Sequence, residues 1–346
     1  MPHPRLGPRP TPAQACGWLC GLLLSLCGIW AWAGWAAEQP YPEGSAPVER
    51  LQLDWFDTAR ARRIPVQLYV PRQDPGPLPL ILFSHGLGGS RESYAYLGNA
   101  WARAGYVVVH VQHVGSDSAV WQGTTPPLQA MRHAITDLEV IRARPRDISF
   151  AIDQMERLQR EPGILQGRLQ LSRIGVAGHS FGAYTALAVA GQAFFGPRGQ
   201  PTTFTDARVR AVIPMSAPAP LRRDRLAEAF AGVRMPGFHM TGTHDGSLVG
   251  ETQPAERRLP FDHIHRADQY LLIFRGGDHM VFAGLPRRRG TGANDAVFHA
   301  LIRQSTLAFW DAYLRESTHA QSWLATGGFT ATLGPHGTFE VKRQAP

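Results

Sequence analysis

Beyond Cys27 the sequence contains no cysteine; Cys16, Cys20 and Cys27 all lie in one apolar stretch near the N-terminus. Once that stretch is removed, no disulfide can form and no thiolate metal site can be built. Charge is also sparse, at 18% of residues, as in an ordinary globular chain. The basic excess is scattered. Its one dense run, Arg287-Arg288-Arg289, reads as a solvated loop, and no nucleic-acid motif accompanies it. Periodicity is missing too. The 36 glycines and 28 prolines mark many turns but recur at no fixed interval, which excludes a fibrous protein, and no internal repeat is visible.

The first twelve residues lack acids and carry Arg5 and Arg9. An apolar run from Ala15 to Ala37 follows, ending in small residues before Glu38. This is the layout of a secretory signal peptide over residues 1–37, with cleavage after Ala36 or Ala33. An uncleaved anchor is the alternative, since about 20 apolar residues span a bilayer. Cys20 and Cys27 each follow a leucine, which does not suit lipid attachment. The expected location is periplasmic or secreted, with a fold stabilised by its core alone. Losing Arg5 and Arg9 lowers the formal charge from +8 to +6, a modest excess that suits anionic surfaces or substrates.

Residues 38–47 read as a Pro/Gly-rich linker, 48–318 as one domain and 319–346 as a Gly-rich tail with a late strand at "GTFEVK". Within the domain, "VERLQLDWF" and "IPVQLYV" predict a hairpin. "LPLILFSHG", "YVVVHVQH", "RIGVAGHS", "VRAVIPMSA", "PGFHMTGTHD" and "QYLLIFRGGDH" predict strands, several with the near-continuous apolar run of a strand buried on both faces. Helices are predicted at "RESYAYLGNAWARAG", "DISFAIDQMERLQRE", "FGAYTALAVAGQAF" and "NDAVFHALIRQSTLAFWDAYLRE". Strands alternating with helices imply an α/β fold, a mostly parallel twisted sheet with helices on both faces. Two long loops, 113–143 and 243–268, interrupt it, and loops of that length inside such a sheet tend to be functional.

The chemistry starts at Gly178-His179-Ser180-Phe181-Gly182, a G-x-S-x-G pentapeptide that follows a strand and opens a helix. A nucleophile on such a corner needs small neighbours, so that strand and helix can approach. The helix N-terminus adds partial positive charge near a developing oxyanion. Ser180 is therefore the candidate nucleophile. In this arrangement the acid and the base follow in that order. His279 is the candidate base, because it alone follows a late strand; His299 falls in a helix, His319 and His336 in the tail, and His263 and His265 before the strand. Asp245, at the end of "MPGFHMTGTHD", is the candidate acid. Asp278 adjoins His279 and is poorly placed to orient its Nδ1, and Asp224 is a weak substitute. The backbone amides of Phe181 and Leu87 are the candidate oxyanion donors, Leu87 from the loop His85-Gly86-Leu87-Gly88-Gly89. His85 reads as a loop-shaping hydrogen bonder and His179 as structural. Trp121 is a candidate lining residue of an acyl pocket. His110 and His113 suggest a metal pair only weakly, and no metal or cofactor is expected.

The stretches "FSHGLGGSRESYAYLGNAWARAGYVVVHVQH" and "GVAGHSFGAYTA" resemble the platelet-activating-factor acetylhydrolase and dienelactone-hydrolase-like branch of the α/β-hydrolases, over roughly residues 60–315. The resemblance implies an α/β-hydrolase fold and hydrolysis of short acyl or oxidised-lipid esters, and it maps the family's nucleophile and oxyanion positions onto Ser180, Phe181 and Leu87. One departure stands out. The acetylhydrolases carry their acid after the strand matching "AVIPMSAP", where this chain has none; Asp245 comes one strand later. The expectation is a serine esterase acting on a small-molecule or lipid ester, a monomer that binds no nucleic acid and meets a membrane only through the signal segment or a lipid substrate. A lipase, polyester hydrolase or amidase remains open as an alternative, and so does an inactive hydrolase-fold binding protein of the envelope.

Overall fold

A computed structural model describes residues 40–72, 76–122, 126–196, 199–285 and 292–344. The expected signal peptide, its cysteines and the Arg287–Arg289 run lie outside the described residues.

The hairpin is present as β1 (Val48–Asp57) and β2 (Arg62–Pro71). It is followed by β3 (Leu78–Ser84), α1 (Ala95–Arg103), β4 (Val107–Val111), α2 (Pro127–Ala134), α3 (Leu138–Arg160), β5 (Leu169–His179) and α4 (Phe181–Ala190). A small hairpin, β6 (Phe194–Phe195) with β7 (Pro201–Thr202), precedes β8 (Val209–Met215), α5 (Leu226–Phe230), β9 (Gly237–His244), α6 (Leu259–His263) and β10 (Gln269–Asp278). The chain closes with α7 (Asp295–Leu314), α8 (Thr318–Ala325), α9 (Gly328–Leu333) and β11 (Gly337–Lys342). The main sheet runs β1-β2-β4-β3-β5-β8-β9-β10-β11. Its six middle strands are parallel, while β1, β2 and β11 pair antiparallel at the two edges. This is the α/β-hydrolase fold that the alternation of strands and helices predicts.

The apolar runs read as doubly buried strands because successive side chains enter opposite layers. Ile81 and Phe83 of β3 join the layer under α1, α7, α8 and α9, whereas Leu80 and Leu82 join the layer under α3 and α4. On β8, Ala211 and Ile213 face the first layer and Val212 the second. Trp101 of α1 meets Trp310 of α7 edge-on at 5.8 Å and donates its indole N–H to Thr306 Oγ1 at 2.9 Å.

Three boundaries differ from the sequence reading. Helix α3 starts at Leu138, nine residues before the predicted start at Asp147. Pro145 lies inside it, lacks an N–H, and so leaves the Ile141 carbonyl without its helical donor. The Tyr184 hydroxyl donates to that carbonyl at 3.3 Å, and Asp137 caps the helix start through the amides of Glu139 and Val140. The span 113–143 is therefore largely ordered into a 3-10 turn (Ser118–Val120), α2 and the start of α3. The span 243–268 holds a 3-10 turn (Pro254–Arg258) and α6. The segment read as a tail is folded into the domain, for β11 pairs with β10 over six residues. At the other end, Tyr41 of the expected linker is buried and donates to Asp311 Oδ2 at 2.7 Å.

Candidate active site

Strand β5 ends at His179 and α4 begins at Phe181, so Ser180 alone makes the corner. Its φ of 55° and ψ of −116° are costly for a side chain with a Cβ, on the order of 1–3 kcal/mol. The surroundings hold it there. The Ser180 N–H donates to Met215 O at 2.8 Å. The flanking glycines are steric necessities: a Cβ at Gly182 would overlap the Ser84 carbonyl, and one at Gly178 the Gly182 carbonyl.

The loops after β9 and β10 bring the other two candidates to this corner. His279 Nε2 lies 2.9 Å from Ser180 Oγ, and His279 Nδ1 lies 2.7 Å from Asp245 Oδ1. Asp278 faces elsewhere and accepts from the Met280 N–H at 2.9 Å. His179 packs against His279 at a tilt, with ring centroids 4.7 Å apart, and shares a 2.7 Å hydrogen bond between its Nδ1 and the Tyr94 hydroxyl. Burial, followed by the neighbouring His279 ring, holds His179 well below the usual imidazole range. It stays neutral and acts as packing.

Asp245 is fully buried, and sequence reasoning missed what surrounds it. Its Oδ2 accepts from Ser216 Oγ at 2.5 Å and Thr241 Oγ1 at 2.8 Å. Its Oδ1 faces Arg257 Nε at 2.9 Å as well as His279. Burial acts to raise the Asp245 carboxyl pKa, but the His279 hydrogen bond, the Arg257 charge and the Ser216 hydroxyl outweigh it, and the net direction is downward. Ser216 directly follows β8, and it too has a positive φ of 53°.

The loop of the expected second oxyanion donor packs against the elbow. Leu87 joins a small apolar cluster with Phe181 and Tyr184. Gly88 N–H donates to Ser116 O at 2.9 Å. His85 Nε2 accepts from the His113 N–H at 3.0 Å, so its Nδ1 carries the proton that goes to Gly86 O at 2.6 Å. It shapes the loop, as expected. Trp121 donates its indole N–H to Gly88 O at 2.9 Å and is 44% exposed, at the rim of this loop.

Arg144, also missed, ties these pieces together from beneath. Its guanidinium is fully buried and donates to Thr185 Oγ1 at 3.0 Å, Ser116 Oγ at 2.7 Å, Ser84 Oγ at 3.0 Å and the His85 carbonyl, and it lies 4.5 Å over the Phe181 ring. Burial pulls it down to about 9, which leaves it charged at neutral pH. Ser84 then donates to His113 Nε2 at 2.9 Å, and His113 Nδ1 to Asp147 Oδ2 at 3.0 Å. That Ser-His-Asp relay is sealed from solvent at all three members, and it braces the loop instead of presenting a nucleophile. His110 is spent on the Ser93 carbonyl at 3.0 Å, so the two histidines weighed as a metal pair have other partners.

A family model described as platelet-activating factor acetylhydrolase, isoform II, matches residues 58–144. That segment contains the His85–Gly89 loop and Arg144 and stops before Ser180. Platelet-activating factor acetylhydrolase of Cavia porcellus is 27% identical over 150 residues, which span 36% of this chain and 34% of that relative. The match thus covers about a third of the relative's length. The chain is similar to the platelet-activating-factor acetylhydrolase branch of the α/β-hydrolases, which agrees with the resemblance of its motifs.

Proposed function

We propose that the protein is a serine esterase that works through an acyl-enzyme on Ser180. The observation that carries this reading is the unbroken hydrogen-bond chain from Ser180 Oγ through both nitrogens of His279 to a buried carboxylate. In the first step, His279 Nε2 takes the Ser180 proton as Oγ attacks the ester carbonyl. Asp245 keeps the proton on Nδ1 and stabilises the imidazolium that forms. The amides of Leu87 and Phe181 receive the oxyanion, and His279 returns the proton to the departing alcohol. Water, deprotonated by the same ring, then releases the acid. The distortion of Ser180 supports the reading, since strain at a half-buried serine between a strand and a helix is stored where it serves function.

The substrate is an apolar or lipid-like carboxylic ester. Trp121, Leu221, Leu248 and Met280 are exposed apolar side chains in segments that follow the C-terminal ends of β4, β8, β9 and β10. These strands are parallel, so their ends share the edge that carries Ser180. With the signal segment at residues 1–37, the setting is an exported enzyme that acts outside the cytoplasm. A panel of p-nitrophenyl esters from acetyl to octanoyl tests the reading. Ser180→Ala is expected to lower kcat about 10⁴-fold or more on every ester that the wild type turns over. Wild-type turnover by Ser180→Ala contradicts it.

A further inference from the structure

A buried guanidinium has to be matched by acceptors, because an unpaired charge is expensive to remove from water. Arg257 is 3% exposed and sits in the short 3-10 turn between β9 and α6. Its Nε donates to the Asp245 carbonyl at 2.7 Å and faces Asp245 Oδ1 at 2.9 Å; one Nη donates to the carbonyls of Ser216 at 2.6 Å and Ala217 at 3.1 Å. The other Nη lies 3.3 Å from His279 Nδ1. Four elements surround the His279 ring. Asp245 faces it from the end of β9 and Arg257 from the turn. Ser180 and His179 face it from the elbow. On its own segment the Asp278 carboxylate turns to Met280 N. Nδ1 of His279 therefore lies between one anion and one cation.

The two neighbours favour opposite states of the ring. Asp245 accepts a hydrogen bond from the Nδ1–H and so selects the tautomer whose Nε2 is free to take the serine proton. An Nη–H of Arg257 can donate only to a bare Nδ1, which selects the tautomer whose Nε2 is already protonated. At 2.7 Å against 3.3 Å, Asp245 prevails. The imidazolium is attracted by Asp245 and repelled by Arg257.

We propose that Arg257 is a positioning residue: it clamps the Asp245 carboxylate against His279, so that the ring keeps its proton on Nδ1 and leaves Nε2 free for the serine proton. The proposal rests on the triad reading above. The test is kcat and KM on p-nitrophenyl acetate for the wild type, Arg257→Met, Arg257→Lys, Asp245→Ala, Asp245→Ala/Arg257→Met and Ser180→Ala, with thermal melts to verify folding. In Arg257→Met kcat is expected to fall about 10-fold or more with KM within a few-fold of wild type, and in Arg257→Lys by less. Asp245→Ala leaves the guanidinium free to hold the wrong tautomer, so removing Arg257 as well is expected to recover at least about 10-fold of the activity lost. If Arg257→Met does not fold, the Lys variant and the double variant carry the test. A wild-type kcat in Arg257→Met, or a double variant no better than Asp245→Ala, overturns the role of Arg257 while Ser180→Ala stays inactive. An active Ser180→Ala overturns the triad reading itself.

Discussion

At the scale of single residues, the site is a set of side chains that tolerate little change because each is held by buried partners. Asp147 shows this away from the reacting groups. It is fully buried and receives Arg60 at 2.8 Å, Arg62 at 2.9 Å and His113 at 3.0 Å. Burial acts to raise its carboxyl pKa, but the bonds from His113 and Arg62 more than offset this, and its pKa is held below the usual carboxylate value. A group depressed in this way stabilises the fold fully above about pH 4 and loses its contribution as pH falls through the folded value. Asp147→Asn is therefore expected to cost about 3–5 kcal/mol at neutral pH, with the gap to wild type closing in acid, as followed by urea unfolding across pH. Ser180, Asp245 and His279 were legible in the sequence because the chemistry fixes their order and the strand ends fix their places. Arg257 was not. It stands next to Arg258, which pairs instead with Asp262 and Glu340, and nothing in "ERRLP" tells the two apart.

Among the elements, α3 and the His85–Gly89 loop act together. The sequence did contain a signal for Arg144: it precedes Ile148 by four residues and so falls on the apolar stripe of Ile148, Ile152 and Met155. A charge on a buried stripe calls for partners, and Arg144 finds them in the loop and in the first turn of α4. Pro145 concealed this by making the helix look as if it began later. The Tyr184 hydroxyl that compensates Pro145 comes from another helix and leaves no trace in local pattern. Since Arg144 holds the loop by the His85 carbonyl and, through Ser116, near Gly88, Arg144→Met is expected to loosen the proposed Leu87 donor. Initial-rate kinetics should show kcat down about 10²-fold with KM within a few-fold of wild type, as for loss of one oxyanion donor. A change in KM alone would argue that the loop only contacts substrate.

For the whole molecule, the sheet does two jobs. Its alternating side chains feed two apolar layers, and the C-terminal ends of its parallel strands bring residues far apart in sequence to one edge. The parallel strands could be read from their apolar runs and the late strand from "GTFEVK", but the packing of the segment before it could not. Residues 326–338 are rich in glycine and look like a loop, yet Phe329 and Leu333 of α9 enter the core and β11 completes the sheet. Tyr41 was hidden in the same way among prolines. Everything argued about the site depends on Ser180 being the nucleophile that this edge presents. The most direct measurement is the intact mass and peptide map of the mature protein after reaction with a fluorophosphonate. One adduct per chain is expected, on Ser180, formed far more slowly in His279→Ala and absent in Ser180→Ala. An unmodified wild type, or an adduct that persists in Ser180→Ala, would contradict it.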